Sequence, residues 1–201
     1  MPDAIDFWFS TGSTYTYLTV SRLEKVEAAT GMRFNWRPFS VRAIMREQNN
    51  SPFANKPVKM GYMWRDIERR AGLYGLPVKV PAPYPLQEFD LANRVALLGL
   101  EEGWGKPYIV ASYRRWFVGG QEPGMEPNLS ASLREVGQDP PRVVGQAQSD
   151  RIGGVYGAAT DEARRLGVFG SPTFAAKGEL FWGDDRLDDA ICWLKHGRLV
   201  A

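Results

Sequence analysis

Strand-like patterning is confined to the two ends of the chain, and that confinement restricts the fold more than any other feature. Ala4-Ile5-Asp6-Phe7-Trp8-Phe9 begins as an apolar–polar alternation and turns wholly aromatic, as a buried strand does. Tyr17-Leu18, Leu23 and Val26 follow at roughly helical spacing, and Gly31 is a natural stop for that helix. Met32, Phe34, Trp36 and Pro38 then alternate with Arg33, Asn35, Arg37 and Phe39 in a period-2 pattern. Strand, helix and strand this close together imply a parallel pair with a right-handed crossover. At the other end, residues 172–176 and 179–182 read as short strands about a Lys177-Gly178 hairpin turn. Leu187, Ala190, Ile191 and Leu194 follow with the spacing of a closing amphipathic helix.

Between these ends the periodicity is helical. Met60, Met63, Trp64, Ile67, Ala71 and Tyr74 share one face of a long helix over residues 60–74. Residues 75–85 contain four prolines and read as an extended connector. Further helices are expected over 91–102, over 107–118 with an aromatic face, and over 129–136, 142–146 and 150–166; Gly153-Gly154 weakens the last. Residues 119–127 read as loop. The order is βαβ, a block of helices, then ββα. This is an α/β chain: a thioredoxin-like βαβ–ββα domain (1–40 and 167–201) with an inserted all-helical domain (41–166). Gly170-Ser171-Pro172-Thr173 supports that topology, because a proline entering a strand is confined to an edge or the first position, and it is a place for a cis bond. In a thioredoxin-like fold such a proline lies beside the active site, so Ser171 would present its backbone to a bound thiol peptide.

Composition removes several classes of function. The one cysteine, Cys192, rules out an internal disulfide, a CxxC redox pair and a thiolate-rich zinc site. The one histidine, His196, argues against a His-ligated metal. Lys plus Arg number 25 against 23 Asp plus Glu and are spread along the chain, so there is no electrostatic footprint for nucleic acid. No apolar run approaches the roughly 20 residues of a membrane helix, and residues 1–9 do not read as a secretory signal. The cytoplasm is the expected compartment, with no metal, nucleic-acid or membrane partner.

Three places carry candidate chemistry. Ser13 lies where the first strand hands over to the first helix, a position that favours anions through unpaired backbone N–H groups and the helix dipole. Its hydroxyl is suited to stabilise a thiolate brought by a ligand, or else to cap the helix. Asp184-Asp185-Arg186 stands between the last strand and the last helix. There Asp185 caps that helix, with Asp188 completing a capping box, or the carboxylates hold an ammonium group. Asn50-Ser51-Pro52 and Lys59 read as a polar loop that either is simply solvated or contacts a carboxylate-bearing ligand. Arg65-Asp66 and Glu68-Arg69-Arg70 read as a solvated helix face with pairs such as Asp66–Arg70. Cys192 reads as a buried structural thiol, and His196 as a helix C-terminal residue favoured by the dipole.

Taken together, Phe7-Trp8-Phe9-Ser10-Thr11-Gly12-Ser13-Thr14-Tyr15-Thr16-Tyr17-Leu18, Asn50-x-Pro52 with Lys59 and Tyr62, Gly167 to Phe174, and Gly178 to Leu187 resemble the motifs of the 2-hydroxychromene-2-carboxylate isomerases. These are relatives of the kappa-class glutathione transferases within the DsbA-like thioredoxin superfamily. The resemblance covers essentially the whole chain. It implies glutathione as cofactor, with Ser13 at the sulfur and Thr14 and Tyr15 lining the same helix start. Asn50 and Lys59 would contact the tripeptide, Ser171 would pair with its cysteinyl part, and Asp184 and Asp185 would hold its γ-glutamyl end. Arg186 would support Asp185. The family commonly has Ser-Pro at the active serine; here Thr14 follows Ser13, and Thr11 and Thr14 stand as alternative hydroxyls. The implied activity is cis–trans isomerisation of an aromatic acid by reversible thiolate addition. Among the inserted helices, Tyr62, Trp64, Trp104, Tyr113, Trp116 and Phe117 either supply the apolar slot this needs or, as aromatics at helical spacing more often do, pack in the core. The other readings are a kappa-like transferase or peroxidase, and a noncatalytic thiol-peptide binding protein. Members of this family are often dimers, so a homodimer is a further expectation.

Overall fold

The computed structural model describes residues 4–50, 53 and 55–200. Four strands, β1 (Ile5–Phe9), β2 (Phe34–Pro38), β3 (Thr173–Ala176) and β4 (Glu179–Trp182), form one mixed sheet in the order β2-β1-β3-β4. β1 runs parallel to β2, with Ile5 opposite Phe34 and Phe9 opposite Pro38, and antiparallel to β3, with Phe7 opposite Phe174. The aromatic run of β1 is the centre of the core. Ile5, Phe7, Trp8 and Phe9 are fully buried, and Phe7 stacks on Phe9 and Phe174 with centroids 5.0 and 5.5 Å away. The β3–β4 hairpin turns on Lys177 and Gly178, both with positive φ, the conformation that a two-residue turn between twisted strands demands.

The helix after β1 is two helices, α1 (Thr16–Val20) and α2 (Leu23–Thr30), broken at Ser21-Arg22. α2 ends where expected, on a left-handed Gly31. Between β2 and β3 lie α3 (Val41–Glu47), α4 (Pro57–Tyr74), α5 (Asp90–Glu102), α6 (Gly105–Phe117), α7 (Asn128–Glu135), α8 (Pro140–Ala147) and α9 (Asp150–Arg165). α10 (Leu187–His196) closes the chain. α4 buries Met63, Trp64, Ile67 and Ala71 on its inner face. It begins earlier than its apolar periodicity indicates, because Pro57 at the first helical position has no N–H to leave unpaired; Lys59 is therefore helical. α9 runs unbroken through Gly153-Gly154.

Sheet and helices share a continuous core. Tyr17 of α1 stacks on Phe117 of α6 at 4.3 Å, and the Ser40 N–H after β2 donates to Thr160 of α9. Cys192 is half-buried rather than buried: its Sγ lies 3.4 Å from the Arg198 carbonyl and accepts from the Val200 N–H. Among the described residues no helix is long and apolar enough to cross a membrane.

Candidate active site

The loop between β1 and α1 closes against the entry to β3. The Ser13 hydroxyl donates to the Ser171 carbonyl at 2.6 Å. The Ser171 hydroxyl accepts from the Ser10 N–H at 2.8 Å and lies 2.9 Å from Thr16 Oγ1. The Ser171–Pro172 bond is cis. The capping role considered for Ser13 is not adopted: α1 starts at Thr16 behind Tyr15, with no side-chain cap. Thr11 is buried, and the Thr14 hydroxyl donates to Met63 Sδ at 3.1 Å. Of the three candidate hydroxyls, that of Ser13 is the one lying against Ser171.

Two side chains from distant helices hold this loop in place. Asn93 of α5, fully buried, accepts from the Thr11 N–H at 2.9 Å and donates to Ser10 Oγ and the Phe89 carbonyl. The Tyr113 hydroxyl of α6 lies 2.8 Å from the Ser10 carbonyl and 3.1 Å from that of Ser13. Burial raises the Tyr113 phenol well above its ordinary range, so it is a fixed donor to those carbonyls. Neither residue is suggested by a local motif, although Asn93 stands out as a polar side chain on an otherwise apolar helix face.

Two cavities meet at Ser171. The larger, about 600 Å³, is lined by Ser13, Thr14, Tyr15, Asn50 and Lys59 and is walled by Met45, Phe53, Met63, Tyr84, Phe89 and Trp182. Lys59 Nζ sits 5.5 Å from the centre of the Phe53 ring. Most of the aromatics considered for the slot follow the alternative reading and pack in the core. Of the six, Tyr62 lines the cavity, whereas Trp64, Trp104, Tyr113, Trp116 and Phe117 are core. Ser51 and Pro52 of the Asn50-x-Pro52 motif lie outside the described residues.

The smaller cavity, about 350 Å³, is acidic. Tyr15, Tyr62 and Trp182 line it with Asp66, Arg70, Asp184 and Asp185. Asp184 is 1% exposed. Its Oδ1 accepts from Thr19 at 2.9 Å and from Arg22 Nη2 at 3.0 Å, and Arg22 also reaches the Asp184 carbonyl at 2.9 Å. The break between α1 and α2 is what brings Arg22 there. Asp184 Oδ2 is buried with no partner among the described residues. Asp185 does not cap α10, whose N-cap is Arg186, and the helix has no side-chain cap. Gly183, at φ 114°, leaves room for the Asp185 carboxylate to fold back over it. Arg186 lines neither cavity; it pairs with Asp185 at 3.3 Å and with Asp189 at 2.8 Å.

Asp66 and Arg70 do pair, at 3.6 Å, but they face this cavity instead of open solvent, and Asp66 accepts from the Tyr15 hydroxyl at 3.1 Å. Burial and the adjacent Asp66 carboxylate push the Tyr15 phenol far up, keeping it a hydrogen-bond donor. The cleft therefore presents an acidic end, a serine pair at its middle and a larger apolar end.

Comparison with known proteins identifies the family and the fold. The sequence matches the DSBA-like thioredoxin domain family over residues 4–190. It is 29% identical over 190 residues to a 2-hydroxychromene-2-carboxylate isomerase of Sphingobium xenophagum, covering 94% of this chain and 96% of that one. A kappa 1 glutathione S-transferase of Caenorhabditis elegans is 22% identical, covering 90% of this chain and 86% of the relative. Among solved structures, a 2-hydroxychromene-2-carboxylate isomerase superposes with a TM-score of 0.82 at 25% identity, covering 92% of this chain and 91% of the other.

Proposed function

The chain belongs to the DSBA-like thioredoxin domain family, and from that membership we propose that it is a glutathione-dependent cis–trans isomerase of an aromatic acid of the 2-hydroxychromene-2-carboxylate type. The observation that carries the proposal is the Ser13–Ser171 pair, set where an apolar cavity meets an acidic one. Serine stands where a thiol-exchanging thioredoxin needs cysteine, so a thiol at this point must come from a ligand.

The residues fit glutathione. Asp184 Oδ2, buried and unpartnered among the described residues, is a ready acceptor for a γ-glutamyl ammonium, and Asp185 adds a second carboxylate. Among the described residues nothing accepts from the Ser171 N–H, which would donate to the cysteinyl carbonyl. The Ser13 hydroxyl would turn from the Ser171 carbonyl to the sulfur and favour its ionised form. Asn50 and Lys59, on the wall of the larger cavity, would contact a carboxylate of the tripeptide. When bound, glutathione supplies a thiolate that adds reversibly to a conjugated carbon, so that a double bond becomes single, rotates and re-forms as the thiolate leaves. The apolar wall holds the aromatic acid and keeps water from the reacting carbon.

The test is glutathione-dependent turnover of 2-hydroxychromene-2-carboxylate, followed by absorbance. Ser13→Ala should lower it by about 10²-fold, the typical effect of losing one donor to a developing anion; undiminished turnover would overturn the assignment. The similarity to a kappa 1 glutathione S-transferase favours a second reading in which glutathione is consumed. Product analysis separates the two, since a stable conjugate or oxidised glutathione accumulates only in the second.

A further inference from the structure

We propose that Arg42 and Arg46 of α3 bind the carboxylate of the aromatic substrate, making the larger cavity selective for anionic aromatic molecules over neutral ones. The inference deepens the proposed function and rests on it for the identity of the substrate, while the binding chemistry stands on the cavity itself.

No Asp or Glu lines that cavity among the described residues, whereas Arg42, Arg46 and Lys59 do. Arg42 and Arg46 are four apart on α3, so their side chains leave the same face one turn from each other. Two like charges so placed weaken a helix unless something neutralises them. Neither forms an ion pair among the described residues, and the neighbouring acids are engaged elsewhere. Glu47 pairs with Arg164 at 2.7 Å. Asp90 accepts from Tyr156 at 3.1 Å, and Glu88 accepts from the Leu91 N–H at 3.2 Å.

The Arg42 guanidinium is already oriented for a ligand. It lies 4.0 Å over the Phe89 ring and donates through Nη2 to the Leu86 carbonyl at 3.2 Å. The ring and the carbonyl hold the guanidinium in place, and its remaining N–H donors keep the fork that matches a carboxylate. Among the described residues nothing accepts from those donors. Lys59 differs: its ammonium is a point charge set over Phe53. The opposite end of the cleft holds Asp66, Asp184 and Asp185. Each of these is already paired with an arginine, Asp66 with Arg70, Asp184 with Arg22 and Asp185 with Arg186. Among the described residues that end therefore offers no unpaired cation, and a substrate carboxylate is drawn toward α3 while the aromatic body lies along the apolar wall.

The experiment is calorimetric titration, without glutathione, with trans-cinnamate and with its neutral isostere trans-cinnamamide. Wild type should bind the acid at least about tenfold more tightly than the amide, the usual scale for a charge-assisted pair. Arg42→Gln/Arg46→Gln should bind both equally, with amide affinity unchanged, which also reports that the cavity is intact. If the double variant loses amide binding as well, Arg46→Gln alone decides the matter. Its side chain is exposed, and the preference should fall by at least about threefold. Equal binding by wild type, a preference retained in the arginine variants, or a preference lost only in Lys59→Gln would each overturn the proposal. Because no turnover or thiol is involved, failure of the isomerase assay leaves this test independent.

Discussion

Replacing Arg22 by Met should destabilise the protein by about 3 kcal/mol. Arg22 places its guanidinium on both Oδ1 and the backbone carbonyl of Asp184, a carboxylate only 1% exposed, and also lies 4.4 Å over the Tyr74 ring. Removing one partner of a buried ion pair costs about 3–5 kcal/mol, mostly because the other charge stays behind unpaired. The low end applies, since Thr19 still donates to Oδ1 and the Arg22 side chain is itself 14% exposed, which lets water approach. In urea, with a slope of about 2 kcal/mol/M, the midpoint should fall by about 1.5 M at unchanged slope. The mechanism is read by a double-mutant cycle: in the Arg22→Met background, Asp184→Asn should cost about 2 kcal/mol less than in wild type, because the stranded charge is gone. A loss under about 1 kcal/mol, or an Asp184→Asn penalty that does not depend on residue 22, would show that Arg22 does not neutralise the buried Asp184 carboxylate.

Asn93→Ala should cost about 3 kcal/mol by denaturant unfolding, because it leaves the buried Thr11 N–H without its acceptor and frees the loop that carries Ser13. A Cβ added at Gly170 would overlap the Trp182 indole. Because Trp182 is 54% exposed and free to swing outward, Gly170→Ala should change stability by under about 1 kcal/mol. It should still weaken cinnamate binding several-fold by calorimetry. Hydrogen bonds from Arg115, with the charges of Arg115 and Arg114, hold the Glu135 carboxyl below its ordinary 4.5. That stabilisation is complete above pH 4.5 and is lost as pH falls through the lower folded value. Unfolding free energy measured from pH 5 downward should therefore fall less steeply in Glu135→Gln than in wild type.

The order of elements was legible because the chain changes period sharply, from 2 at its ends to 3.6 between them. The break at Ser21-Arg22 was not, since neither residue is a helix breaker; the contact of Arg22 with Asp184, far away in sequence, selects it. Ser13, Ser171 and Asp184 could be singled out because strand ends and proline entries concentrate special backbone geometry. Their supports, Asn93 and Tyr113, reach the loop from helices remote in sequence and leave no local signature. The cavity wall was hidden for a related reason. Aromatics at helical spacing pack inward, so Trp104, Trp116 and Phe117 became core, while Phe53, Tyr84 and Phe89 lie in irregular segments where no period marks which way they face.

The central claim is that this cleft binds a thiol peptide with its sulfur at Ser13. Calorimetric titration with reduced glutathione and with S-methylglutathione, in wild type and Ser13→Ala, tests it most directly. Wild type should bind glutathione saturably and the methylated form about tenfold more weakly, with most of that difference lost in Ser13→Ala. No binding, or equal affinity of wild type for the two peptides, would contradict it.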